Sequence, residues 1–287
     1  MAHASWRWIL SNVATDHQRC VDAHFAAASA YWTEVYEVAD LEGTIYRKRH
    51  AVVLDLAQKL ALPMEAAILE IGCGSGFTCV HLARKGYTIQ AIDSVDAMIQ
   101  RTRQHAEETG VADRVITSKR NVYNLGYPDN TFDLALKIGV APWLESVDKA
   151  LREVARVLRP GGHLIATADN WWRLNHWLDP RYFPPLRPMR QRARDILERL
   201  RLTGPRSASA RLQSIREFDA CLSEAGLKKT EARTVGFGPF SFLGCKLLPD
   251  SCGVRTHQRL QDLADKRIPI LRSMGAHYIV LATKVAH

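Results

Sequence analysis
Residues 67–93 read AILEIGCGSGFTCVHLARKGYTIQAID, and the fold follows from how this stretch parses. Ala67, Ile68, Leu69 and Ile71 form a short apolar run with β-branched members. Pro63 bounds it on one side and glycines on the other, the pattern of a strand buried on both faces of a parallel sheet. Gly72, Gly74 and Gly76 follow at once. Phe77 to Lys85 then places Val80, Leu82 and Ala83 on a helix that Gly86 can close in the left-handed conformation. Tyr87 to Ile92 predicts a second strand. Asp93 ends it, about 20 residues beyond the glycines, where a carboxylate can accept hydrogen bonds from a ribose hydroxyl pair.

The glycine spacing separates two cofactor classes. A dinucleotide turn calls for G-x-G-x-x-G, but its third position here is Phe77, and the glycines run Gly72-x-Gly74-x-Gly76 with Glu70 two residues ahead. In these residues the chain resembles the class I, Rossmann-like S-adenosylmethionine-dependent methyltransferases of small-molecule type. The resemblance implies that bare backbone at Gly72, Cys73, Gly74 and Gly76 lets the methionine and ribose parts lie close, and that Glu70 helps hold the cationic end. A glycine loop that merely turns a strand into a helix is the plainer alternative.

Outward from this unit, Val52, Val53, Leu56, Ala57 and Leu60 recur at helical spacing before Pro63. After Asp93, Ser94 is placed to cap a helix carrying Val95, Met98, Ile99 and Thr102, which ends near Gly110. Arg114 to Ser118 predicts a third strand and Phe132 to Leu136 a fourth, opened by the turn at Pro128, Asp129 and Asn130. Val147, Leu151, Val154 and Leu158 share a helix face. Arg159, Pro160, Gly161 and Gly162 then resemble the family's turn before a fifth strand, Leu164 to Thr167. Leu227 to Val235 and Ala276 to Thr283 supply a sixth and seventh.

The expected fold is therefore α/β: a seven-stranded, mostly parallel Rossmann-like sheet with helices on both faces, its last strand antiparallel, plus a helical and loop lid over the active site. The chain divides into an N-terminal helical cap (1–44), the cofactor-binding core (45–170), a lid insertion (171–211) and the rest of the core (212–287) with a second insertion at 236–275. The resemblance implies S-adenosylmethionine as cofactor, S-adenosylhomocysteine as product, and in-line methyl transfer that needs no universal catalytic residue. By position in the family pattern, Asp93, Ser94, Met98, Asn121, Val122, Lys137 and Tyr46 join Glu70 and the glycine loop as cofactor contacts. Asn121 departs from the family's usual Asp. Tyr36, Trp143, Trp171 and Trp172 are acceptor-binding candidates, and His176 and His50 are candidate general bases for an oxygen acceptor.

Composition narrows the function. The chain has 287 residues, 47% of them hydrophobic, enough for one sizeable core. No run approaches the roughly 18 apolar residues that span a bilayer, the early Trp6, Trp8, Ile9 and Leu10 being interrupted at once. The six cysteines form no C-x-x-C pair and the histidines no metal-ligand spacing, so reduced thiols, no metal and a cytoplasmic setting are expected. A net charge of +9 and a pI near 9.4 raise an RNA, DNA or protein methyltransferase that uses the arginine-rich lid as an alternative. Against it, Ile138, Gly139, Val140 and Ala141 stand where base-amine methylases carry N-P-P-Y or D-P-P-Y, and no RNA-binding module is appended. A cofactor-binding protein without catalysis is the third reading.

The charge is concentrated. From Arg173 to Arg216 there are eleven arginines and three acidic residues, +8 of the total +9. The aromatic and proline-rich start of this insertion predicts an apolar acceptor pocket, and its arginines point to an anionic or carrier-bound acceptor or an anionic surface. The expected partner is thus a small molecule of secondary metabolism, with no stable nucleic-acid partner and with a homodimer left open.

Overall fold
The computed structural model describes residues 17–200 and 212–285. Trp6, Trp8, Ile9 and Leu10, and from the arginine-rich insertion Arg201, Arg206 and Arg211, lie outside them. The chain opens with helix α1 (17–27), α2 (Ser29–Glu34) and α3 (Leu41–Lys59). The alternating unit follows: β1 (Ile68–Ile71), α4 (Phe77–Arg84), β2 (Ile89–Asp93), α5 (Asp96–Glu108), β3 (Val115–Lys119), β4 (Phe132–Lys137), α6 (Val147–Val157) and β5 (Leu158–Asp169). The first insertion contributes α7 (Leu174–Leu178) and α8 (Arg187–Arg199). The core resumes with α9 (Ile215–Glu224) and β6 (Leu227–Val235). The second insertion holds a small ribbon, β7 (Ser241–Phe242) and β8 (Cys245–Lys246), and α10 (Asp250–Asp265), before β9 (His277–Lys284).

Seven strands form one sheet in the order β3-β2-β1-β4-β5-β9-β6. Strands β1 to β5 pair parallel, and β9 enters antiparallel between β5 and β6. All four residues of β1 are buried, as a strand covered on both faces requires. Val53 and Leu56 of α3, Val80 of α4 and Ile99 of α5 pack with Ile68, Leu134 and Leu136 on one face. Leu151 and Val154 of α6 and Phe218 and Leu222 of α9 pack with Leu69, Ile71 and Ala135 on the other. Each such side chain stabilises the fold by about 1.5–3 kcal/mol through area removed from water. A third apolar group, Leu41, Ile45, Phe237, Phe240 and Ala264, joins the start of α3 to the second insertion.

Two local expectations change. The fifth strand begins at Leu158, and the R-P-G-G segment is looped out within it: Phe132 pairs with Leu158 but Leu134 with His163. Arg159 spans the irregularity by bonding both carboxylate oxygens of Asp133. Ser94 does not cap α5. The N-cap is Val95, whose N–H is taken by Asp93 Oδ1 at 3.0 Å, and Ser94 instead donates to Asp22 Oδ1 of α1 at 2.8 Å.

Candidate active site
The strand order reverses between β1 and β4, and a crevice opens there beyond the carboxyl ends of the strands, as open α/β sheets arrange their ligands. It holds about 1330 Å³ when the solvent in its open mouth is included. Glu70, the last but one residue of β1, lies inside it, 3% exposed, with Oε2 buried and lacking a partner. Burial pushes its carboxyl up to about 7, against the pull of hydrogen bonds from Cys79 and Thr78. Asp93 ends β2, and its Oδ2 accepts from Gly74 N–H at 3.1 Å, so the second strand fixes the loop that follows the first. Burial raises its carboxyl, opposed by the backbone bonds from Val95, Gly74 and Ser94.

The glycines differ in what they permit. A Cβ on Gly72 would lie 2.3 Å from Val140 Cγ2, so that glycine is required by packing. A Cβ on Gly74 would meet nothing within 4 Å, although φ is +56°. The open space above Gly74 is therefore a cradle for a ligand that approaches bare backbone. Gly76 stands outside the cavity lining as the left-handed N-cap of α4, where a Cβ would press on Thr102 at 3.1 Å. Cys73, Ser94, Met98, Asn121 and Val122 line the same end of the crevice. The Cys73 thiol is pushed up by burial, which keeps it neutral. An orphaned carboxylate oxygen, an open glycine cradle and an acidic group at the end of β2 suit a cofactor that carries a cationic amino group and a ribose.

The other end of the crevice is built by three distant segments. Phe25 and Trp32 from the N-terminal helices, and Tyr36 just after them, line it together with Trp143. Trp143 stacks on His24 at 5.0 Å, and Tyr36 lies 4.3 Å from Phe77. Thr33 Oγ1 meets Ser75 Oγ of the glycine loop at 3.0 Å. Arg49 of α3 is 6% exposed. It donates to Tyr36 Oη at 3.0 Å and lies 4.5 Å over the Tyr46 ring, with Nε unpartnered. Burial pushes the Tyr46 phenol up to about 12 although Arg49 opposes it.

The antiparallel register of β5 and β9 sets Asp169 directly opposite His277, and both line the crevice. Their Oδ1 and Nδ1 are 3.0 Å apart. Burial alone would raise Asp169, but the bond from His277 and the charges of Arg173 and Arg49 hold it below its ordinary value. Burial lowers His277 further than Asp169 raises it. The pair is therefore a carboxylate and a neutral imidazole whose proton sits on Nδ1, leaving the Nε2 lone pair as a base.

Besides Gly76, five expected site residues lie outside the lining. His50 is outside the lining, its Nε2 is buried without a partner, and burial with His81 and Arg49 lowers it to about 4. His176 is 1% exposed. Its Nε2 accepts from Arg173 Nε at 2.8 Å and its Nδ1 meets Trp171 O at 3.0 Å, so it organises the insertion. Trp171 and Trp172 do not reach the crevice, and Trp172 is 44% exposed against Trp177. Lys137 is fully buried, 5.6 Å over the Phe218 ring on the α9 side of the sheet. Arg49, Asp169 and His277 went unnoticed in the sequence. Asp169 alone carried a signal there, as the acidic residue closing the fifth strand.

Fold and crevice together are those of a Rossmann-like α/β domain with a ligand crevice at its topological switch point. Residues 69–166 match the family described as a methyltransferase domain. The chain is similar to methyltransferase GfsG of Streptomyces halstedii, 34% identical over 115 residues, covering 40% of this chain and 41% of that one. It is similar to norajmaline N-methyltransferase of Rauvolfia serpentina, 33% identical over 99 residues, 34% of each chain. It also resembles the 27-O-demethylrifamycin SV methyltransferase of Amycolatopsis mediterranei, 29% identical over 210 residues, 71% of this chain and 67% of that one. The chain thus spans well under two thirds of the length of the first two. Among solved structures, a putative sarcosine dimethylglycine methyltransferase from Galdieria sulphuraria superposes with a TM-score of 0.58 at 15% identity, covering 90% of this chain and 98% of that one. Geranyl diphosphate C-methyltransferase from Streptomyces coelicolor gives 0.54 at 16%, covering 84% and 80%. Both show the shared fold. Among the described residues no His, Cys, Asp and Glu cluster could hold a metal, and no helix is long and apolar enough to cross a membrane.

Proposed function
We propose that this protein transfers a methyl group from S-adenosylmethionine to a hydroxyl oxygen of a small, partly apolar metabolite. The observation that carries this reading is the Asp169–His277 pair on the wall of the same crevice that Glu70, Gly74 and Asp93 line. When bound, S-adenosylmethionine supplies a methyl group on a positively charged sulfur. Glu70 would hold its amino group, Asp93 its ribose, Met98 and Val122 its adenine, and the unpartnered Arg49 Nε its carboxylate. His277 takes the hydroxyl proton on Nε2, and Asp169 stabilises the imidazolium that forms. Phe25, Trp32 and Trp143 exclude water and receive the apolar part of the acceptor. A cytoplasmic setting in secondary metabolism completes the reading, and the free cysteines fit it.

The relatives' names include O-, N- and C-directed enzymes. The test is therefore a panel of hydroxyl and amine acceptors, followed by release of S-adenosylhomocysteine. His277→Gln is expected to lower kcat by about 10²–10⁴-fold with cofactor affinity retained, and Asp169→Asn to lower kcat and move the acid-side rise of the pH profile to lower pH, because the carboxylate that raises His277 is lost. Turnover confined to amines and unchanged in His277→Gln overturns the oxygen acceptor.

A further inference from the structure
Among its described side chains, helix α8 buries nothing that would explain its sequence. Every one of its side chains described is exposed except Arg190, which is half-buried, and its main packing partner among the described elements is the turn Pro184–Leu186. Yet it is sharply two-sided. At about 100° per residue, Met189, Ala193, Ile196 and Leu197 fall on one row that Leu200 extends. Met189 is 68% exposed, Ile196 55% and Leu200 62%. Arg190 and Arg192 stand roughly 80° to either side of that row, and Arg194 and Arg199 lie beyond them. The segment before it presents Trp172, Trp177 and Tyr182 to solvent as well, the two indoles stacked at 5.8 Å.

We propose that α8 and these aromatics dock the protein on an anionic lipid surface. An exposed apolar row flanked on both edges by guanidinium groups is the arrangement of a helix lying in the interface, its apolar side among acyl chains and its arginines reaching phosphates. Tryptophan and tyrosine favour the same layer because one end of each ring system is apolar and the other polar. At 13 residues the helix is about 20 Å long, too short to span the bilayer and long enough to lie on it. The charge chooses the lipid: five arginines against two acidic residues over 187–199 favour an anionic leaflet. The aromatic part of the docked segment begins at Trp172, three residues beyond Asp169 on the crevice wall.

This inference does not depend on which reaction the crevice performs. The experiment is co-sedimentation of the full chain with phosphatidylcholine vesicles, with and without phosphatidylserine, at low and high salt. The full chain is expected to sediment with the phosphatidylserine vesicles and not with phosphatidylcholine alone. Replacing Arg190, Arg192 and Arg199 by Gln is expected to lower the partition coefficient about fivefold per arginine. Ile196→Asp with Leu200→Asp is expected to abolish binding, while calorimetry shows unchanged affinity for S-adenosylhomocysteine. No sedimentation with anionic vesicles overturns the proposal, as does equal sedimentation of the parent and both variants. Capture by an acidic carrier protein with no vesicle binding overturns it too.

Discussion

Glu70 and Lys137 lie at the carboxyl-terminal parts of the adjacent strands β1 and β4, and each is an ionisable side chain taken out of water. Burial pushes Glu70 from 4.5 up to about 7, so below that pH it is protonated and cannot meet a cationic amino group as an anion. Affinity for S-adenosylhomocysteine is therefore expected to rise between pH 6 and 8, with proton release seen by calorimetry in buffers of different ionisation enthalpy. The stability effect has the opposite sign. A carboxyl raised in the folded state costs nothing below its unfolded value and costs more as pH climbs toward 7. Glu70→Gln should thus gain on the order of 2 kcal/mol at pH 8 while binding the product at least about tenfold more weakly, the loss of a charged hydrogen bond. Unchanged affinity would remove Glu70 from the cofactor. Burial lowers Lys137 from 10.5 to about 7, and its Nζ has no hydrogen-bond partner. Below pH 7 the fold carries a desolvated charge. As pH rises toward 10 the unfolded chain holds more protons, so stability increases. Lys137→Met should stabilise by about 1–4 kcal/mol near pH 6 and flatten that rise in denaturant titrations at several pH values. An equally steep slope in the variant would assign the rise to other groups. The family pattern set Lys137 above the cofactor, but side chains alternate along a strand. Lys137 shares its face with Ala135, which packs toward α6 and α9.

Elements were far more legible than the partners they bring together. The unit from β1 to β2 could be read because the strand, the glycines and the helix each follow a local period, and β6 falls on the expected residues. The fifth strand was misjudged at its start, since a looped-out R-P-G-G segment is a matter of pairing with β4, which no local pattern encodes. The same limit hid the acid–base pair. Asp169 and His277 are 108 residues apart and meet only because β9 enters antiparallel in a particular register. Of the histidines favoured from sequence, His50 lies on α3, which lends Tyr46 and Arg49 to the crevice without His50 reaching it, and His176 lies in the first insertion, none of whose residues lines the crevice. The N-terminal helices are an element whose role the contacts define. Thr33 and Asp22 tie them to Ser75 and Ser94, residues that line the cofactor end. Thr33→Val removes one such bond, worth about 0.5–1.5 kcal/mol. It is expected to speed release of S-adenosylhomocysteine a few-fold in stopped-flow traces of tryptophan emission, with the melting temperature almost unchanged. A release rate equal to the parent's would show that these helices do not gate the crevice.

At the scale of the whole molecule, cofactor binding should report on the fold, because the crevice is walled by the N-terminal helices, both halves of the parallel sheet and the antiparallel β9. A ligand that binds only the folded state stabilises it by RT ln(1 + [L]/Kd), about 2.7 kcal/mol at a hundredfold excess over Kd. For a domain of this size that amounts to a rise in melting temperature of roughly 5–10 °C. Gly74→Val separates binding from folding. The new side chain enters open space, so the sheet can still form, at a cost of about 1–2 kcal/mol for a branched residue held at positive φ. The variant should therefore melt a few degrees below the parent and show no shift with S-adenosylhomocysteine in scanning fluorimetry. Ile196→Asp with Leu200→Asp, outside the crevice lining, should keep the parent's full shift. If Gly74→Val also shifts fully, the cofactor does not lie over the glycine turn, and the assignments of Glu70 and Asp93 fall with it.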